Sequence, residues 1–128
     1  MQFSTKAEYG LRAMVVLAKS YPETKNIPEI SAQENISPKY LEQLMRELKK
    51  NNLVESKKGK SGGYALSKRP SEISTADIIE TLEGSITPMK CNSKECQGKV
   101  CPSKKVWLKL GLEIKKTLEN IKLEELIK

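Results

Sequence analysis

The decisive stretch reads Ile36-Ser37-Pro38-Lys39-Tyr40-Leu41-Glu42-Gln43-Leu44-Met45-Arg46-Glu47-Leu48-Lys49-Lys50. It continues Asn51-Asn52-Leu53-Val54-Glu55-Ser56-Lys57-Lys58-Gly59-Lys60-Ser61-Gly62-Gly63-Tyr64-Ala65-Leu66. Ser37-Pro38 is a helix start: a hydroxyl that caps the first turn, then a residue whose φ is already set for it. Tyr40, Leu41, Leu44, Met45 and Leu48 recur at helical spacing, which predicts a helix to about Lys50, stopped by Asn51-Asn52. The pattern then changes to two short strands, 53–56 and 64–66, joined by a Lys- and Gly-rich tip.

Working back from Ser37, Asn35-Ile36-Ser37 reads as a tight turn. Before it lies a short helix through Gln33, with Pro28 in its first turn. Residues 5–20 read as a first helix, with Ser4 or Thr5 as cap and Tyr9, Ala13, Val16 and Leu17 on one face. Tyr21-Pro22 ends it. Two short helices joined by a turn, then a hairpin, form a helix-turn-helix followed by a wing. The expected fold class is mainly α: a winged helix-turn-helix DNA-binding domain with a long C-terminal dimerisation helix.

Charge agrees with this layout. The chain has 23 Lys and Arg against 16 Asp and Glu, a net charge of +7. Residues 37–69 hold 9 basic and 3 acidic side chains, so nearly all the surplus lies in the third helix and the hairpin. A localised basic surface suits phosphate. Lys57, Lys58 and Lys60 stand where a wing meets a DNA backbone.

Working forward, residues 74–83 read as a fourth helix closed by Gly84. Residues 85–101 form a loop with all three cysteines. A long helix is expected from Pro102 to about 118, with Val106, Trp107, Leu110, Ile114 and Leu118 at spacings of 3 to 4, and a short last helix within 122–128. An apolar stripe on a helix outside the main unit suggests a partner helix. The simplest partner is a second copy, with Trp107, Leu110 and Ile114 at a homodimer interface. The expected organisation is a DNA-binding domain 1–84, a cysteine-bearing loop 85–101, and a dimerisation helix and tail 102–128.

Composition narrows the function further. At 128 residues and 14.4 kDa, one domain is expected. Mean hydropathy is −0.52, and no apolar run is long enough to span a membrane. The opening lacks the apolar core of a signal peptide, so the expected address is cytoplasmic, with no membrane partner. There is no His, which removes the commonest general base and His-based metal sites. There is also no C-x-x-C, and an enzyme is not expected.

Cys91, Cys96 and Cys101 are spaced C-x4-C-x4-C. An odd number of thiols in a cytoplasmic chain argues against a disulfide framework. Structural zinc favours tighter C-x2-C pairs. Longer spacings in an irregular loop suit an iron–sulfur cluster, while zinc and a thiol redox switch stay open. Three thiolates leave one ligand to be found. Cys101 precedes Pro102 at a helix start, where the helix dipole favours a thiolate. Lys90, Lys94, Lys99, Lys104 and Lys105 offset its charge.

The chain resembles the IscR/NsrR/CymR family of bacterial winged-helix regulators over nearly its whole length. The resemblance is carried by residues 1–9 (Met-Gln-Phe-Ser-Thr-Lys-Ala-Glu-Tyr), by 36–44, by 50–54, by 58–64, and by the three cysteines with Trp107 behind them. It implies a dimeric repressor or activator of double-stranded operator DNA. It also implies a [2Fe-2S] or [4Fe-4S] cluster that senses cluster status, nitric oxide or redox state; a cluster this exposed is usually lost on aerobic handling. By the same resemblance Ser37, Lys39, Glu42 and Gln43 face DNA. Members like IscR carry a His where this chain has Lys104, a poor ligand when protonated. Members like NsrR use a carboxylate matching Glu8, supplied across the dimer, so Glu8 is the expected fourth ligand and Glu95 its rival. The alternative is a zinc- or thiol-switch regulator, or a protein-interaction module, without a cluster.

Overall fold

The computed structural model describes residues 3–59, 62–86 and 102–128. Helices α1 (Thr5–Ser20), α2 (Ile27–Glu34) and α3 (Pro38–Lys50) are followed by strands β1 (Val54–Lys57) and β2 (Gly63–Leu66). After a 3-10 turn at Pro70–Glu72 come α4 (Thr75–Glu83), α5 (Lys104–Glu119) and a 3-10 segment at Leu123–Ile127. The mainly helical winged-helix fold is the one expected.

Each of the first four helices starts on a side chain that satisfies an orphan backbone donor. Ser4 Oγ accepts from the Ala7 N–H, Asn26 and Glu29 form a capping box, Ser37 Oγ accepts from the Tyr40 N–H, and Ser74 and Asp77 form a second box. Such a cap contributes about 1 kcal/mol. Asn35 turns α2 into α3 in the left-handed region (φ 55°, ψ 48°), which Asn tolerates better than most residues. The Leu53 N–H donates to Leu48 O, so the strand starts one residue later than its apolar pattern, at Val54.

Leu41, Leu44, Met45 and Leu48 of α3 are fully buried with Met14, Leu17, Ile30, Ile73 and Ile78. β1 and β2 pair antiparallel from Val54 opposite Leu66 to Lys57 opposite Gly63. The segment before α2 adds a third edge to this hairpin: Lys25 and Tyr64 exchange backbone bonds of 2.9 and 2.8 Å. That approach needs glycine next door. Gly63 has φ +150°, and a Cβ there would sit 2.6 Å from Lys25 O.

The C-terminal part divides in two. Ile114 and Leu118 pack on Ala7, Ile79 and Ile86 of their own chain. Thr75 holds the end of α5 twice, its N–H donating to Ile121 O (2.9 Å) and its Oγ1 to Leu118 O (2.7 Å). Leu123 then enters the main core fully buried. The tail after α5 is therefore built into the same core as the first helices. The other half of α5 carries Val106, Trp107, Leu108 and Leu110 exposed, and Leu112 is exposed just beyond it. Pro102 and Ser103 lie in a turn before α5, which begins at Lys104 rather than at the proline.

Candidate nucleic-acid interface

The outer face of α3 is built by subtraction. Its apolar residues sink into the core, leaving Lys39, Glu42, Gln43 and Arg46 exposed on the opposite side. Ser37 is exposed at the head of the helix. Its oxygen accepts the capping bond, so its O–H stays available to a phosphate. Glu42 and Arg46 are spaced for an i,i+4 ion pair, but no such pair forms among the described residues.

The flanks of α3 are occupied. Lys6 of α1 holds Glu47 Oε1 at 2.6 Å, while Glu47 Oε2 is buried without a hydrogen-bond partner. Lys49 Nζ donates to Ser56 Oγ of β1 at 2.8 Å. Tyr40 meets Tyr9 edge to face, with ring centroids 5.9 Å apart. Arg12 lies over the Tyr9 ring at 5.2 Å and also grips the end of α2, through Glu34 Oε1 (3.0 Å) and Glu34 O (2.5 Å). These contacts clamp both helices of the helix-turn-helix to α1. None was legible in the sequence.

In the wing, Lys57 and Lys58 are exposed, and the Gly62 N–H closes the tip on Gly59 O at 2.9 Å. Lys60 lies outside the described residues, as do Cys91, Cys96, Cys101 and Glu95. Glu8 is exposed in the first turn of α1. Its neighbour Ala7 packs against Ile86, five residues before Cys91 in the chain. Among the described residues no group of three His, Cys, Asp or Glu side chains could hold a metal ion. The Ser4 N–H donates to Glu83 Oε1 at 2.5 Å and holds that carboxyl below its ordinary pKa, with Lys6 adding to the effect.

A clamped helix-turn-helix with a free polar face and a basic wing defines a winged-helix DNA-binding protein. The chain belongs to the Rrf2 family, described as iron-dependent transcriptional regulators, which matches residues 3–128. It is 37% identical over 127 residues to the HTH-type transcriptional regulator CymR of Bacillus subtilis, covering 98% of this chain and 89% of that one. It is 38% identical over 130 residues to the regulator IscR of Photorhabdus laumondii, covering 99% and 79%. The solved structure of B. subtilis CymR, titled a global cysteine regulator, superimposes with a TM-score of 0.85 at 35% identity, covering 99% and 96%. That of T. potens IscR gives 0.83 at 34%, covering 99% and 86%. This chain is accordingly a DNA-binding transcriptional regulator and not an enzyme.

Proposed function

We propose that the protein is a homodimeric cytoplasmic regulator whose hold on operator DNA is set by an iron–sulfur cluster on Cys91, Cys96 and Cys101. The observation that carries this reading is the donor set. Three thiols lie within eleven residues of a chain whose family is described as iron-dependent. Soft thiolates fit iron–sulfur clusters, and the exposed Glu8 carboxylate offers a harder fourth donor. When bound, the cluster supplies a centre reactive toward oxygen, nitric oxide and electrons.

The chain's own residues divide the remaining work. Ser37, Lys39, Glu42 and Gln43 address DNA from α3, with Lys57, Lys58 and Lys60 on the flanking backbone. Gln pairs with adenine and Glu accepts from cytosine N4, whereas the lysines neutralise phosphate. Val106, Trp107 and Leu110, which fall within about 100° of one another around α5, supply an apolar face for a second copy. Ile114 is half-buried within its own chain and contributes at the margin of that face.

One observation favours a second reading, a thiol switch without a cluster. CymR is among the relatives, and the CymR of Staphylococcus aureus, 32% identical, has been solved in an oxidized form (TM-score 0.81, covering 100% of this chain and 97% of that one). Anaerobic purification with iron and sulfide analysis separates the two. The cluster reading expects a brown protein that loses its colour in Cys96→Ala. It also expects faster bleaching in air for Glu8→Ala than for Glu95→Ala. A colourless protein holding one zinc per chain, or no metal but thiol-dependent DNA binding, supports the alternative.

A further inference from the structure

We infer that Arg46 reads a guanine in the major groove and so sets part of the operator sequence. This rests on α3 being the helix that enters the groove. At about 100° per residue, Arg46 falls about 20° from Lys39 around the α3 axis. Glu42 and Gln43 lie to either side of it, about 40° and 60° away. Arg46 therefore stands near the midline of the face opposite the buried Leu41, Leu44, Met45 and Leu48.

Position on that face selects the target. A helix of about 10–12 Å diameter fills a major groove about 12 Å wide, so its flanks meet the phosphate walls and its midline meets base edges. The flanking polar groups of α3 are already engaged within the protein, Glu47 by Lys6 and Lys49 by Ser56. Arg46 is exposed and has no ion pair or hydrogen bond among the described residues, so its five N–H donors need no rearrangement to meet a base. The carboxylate of Glu42, one turn away, repels phosphate and favours base edges on this part of the face. A guanidinium at such a position matches guanine O6 and N7 with two parallel hydrogen bonds. The rise from Glu42 to Arg46 is about 6 Å, or roughly two base-pair steps. The guanine should lie one or two base pairs beyond those addressed by Glu42 and Gln43.

The test is selection of binding sites from randomised duplex DNA by the purified protein, followed by affinities on the selected and randomised duplexes at two salt concentrations. Wild type, Arg46→Ala, Arg46→Lys and Gln43→Ala are compared, with circular dichroism to verify folding. Arg46→Ala should lose a guanine preference at one position per half-site and bind the selected duplex about 10- to 100-fold more weakly. Arg46→Lys should keep general affinity without restoring that preference, since an ammonium lacks the planar fork. Gln43→Ala should alter a different position. Equal weakening on every sequence, with rescue by lysine, would make Arg46 a phosphate contact and overturn the inference. An unchanged selected sequence would overturn it as well. A wild-type protein that selects no sequence would remove α3 as the reading helix, and the inference with it.

Discussion

Ser4 acts on two helices at once. Its hydroxyl caps α1, and its backbone N–H meets Glu83 at the end of α4. The hydrogen bond from Ser4 favours the charged carboxylate, so the Glu83 pKa falls on folding. A group depressed in this way stabilises the fold above its unfolded pKa, and the contribution is lost as pH falls through the folded value. The loss should appear below about pH 4, and Glu83→Gln should flatten it. Thermal unfolding followed from pH 6 to pH 3 checks this: the wild type should lose more Tm than the variant, and parallel curves would contradict it. The cap was legible because it lies three residues from its partner. The Glu83 contact was not, because 79 residues separate the two. Lys6–Glu47 and Arg12–Glu34 stayed hidden for the same reason: no local pattern marks a partner across the fold.

Among the elements, the proposed reading gives discrimination to α3 and general affinity to the wing. Lys58 is exposed at a tip with no side-chain reach toward base edges assigned to it, so Lys58→Ala should weaken binding to every sequence and lower the salt slope by about one unit. Gln43→Ala should instead cost about 1–3 kcal/mol on the preferred duplex and little on random DNA. Fluorescence anisotropy on both duplexes across salt concentrations separates the two behaviours; equal losses for Gln43→Ala would contradict the assignment. The helix-turn-helix was the most legible part of the chain, since Asn35, Ser37 and Pro38 punctuate it and the apolar spacing of α3 has one reading. The third edge of the hairpin was not legible, because Lys25 pairs through backbone atoms that carry no sequence signature. Leu123 shows a related limit. It looks like part of a polar tail, yet it is fully buried in the main core. Leu123→Ala should cost about 2–4 kcal/mol in urea unfolding, against less than about 0.5 for the exposed Leu126→Ala.

At the scale of the molecule, α5 is fixed at one end and, among the described residues, exposed at the other. Thr75, Ile79 and Ala7 bind its C-terminal half to the DNA-binding unit, while Val106, Trp107, Leu108 and Leu110 stand exposed on its N-terminal half. Val106, on the same side as Leu110, keeps 59% of its surface accessible, area that a second copy would cover on the proposed reading. Leu110→Asp should leave a folded monomer by light scattering with near-native thermal stability per chain. Ile114→Asp should instead lower stability, because that side chain packs inside its own subunit. The sequence pattern placed Ile114 with Trp107 and Leu110 because these three lie on one stripe at 3–4 spacing. The turn of α5 onto Ala7 and Ile79 is a tertiary choice that periodicity does not encode.

On the proposed reading, the Cys91, Cys96 and Cys101 segment governs DNA binding through a cluster. The most direct test is anaerobic titration of one selected operator duplex with three samples: iron- and sulfide-loaded wild type, the same protein stripped with chelator, and Cys96→Ala. Loaded and stripped wild type should differ in Kd by about tenfold or more, a coupling within the range usual for allosteric sites. Cys96→Ala should bind like the stripped protein. Equal affinities in all three samples, with iron and sulfide present in the first, would contradict the account.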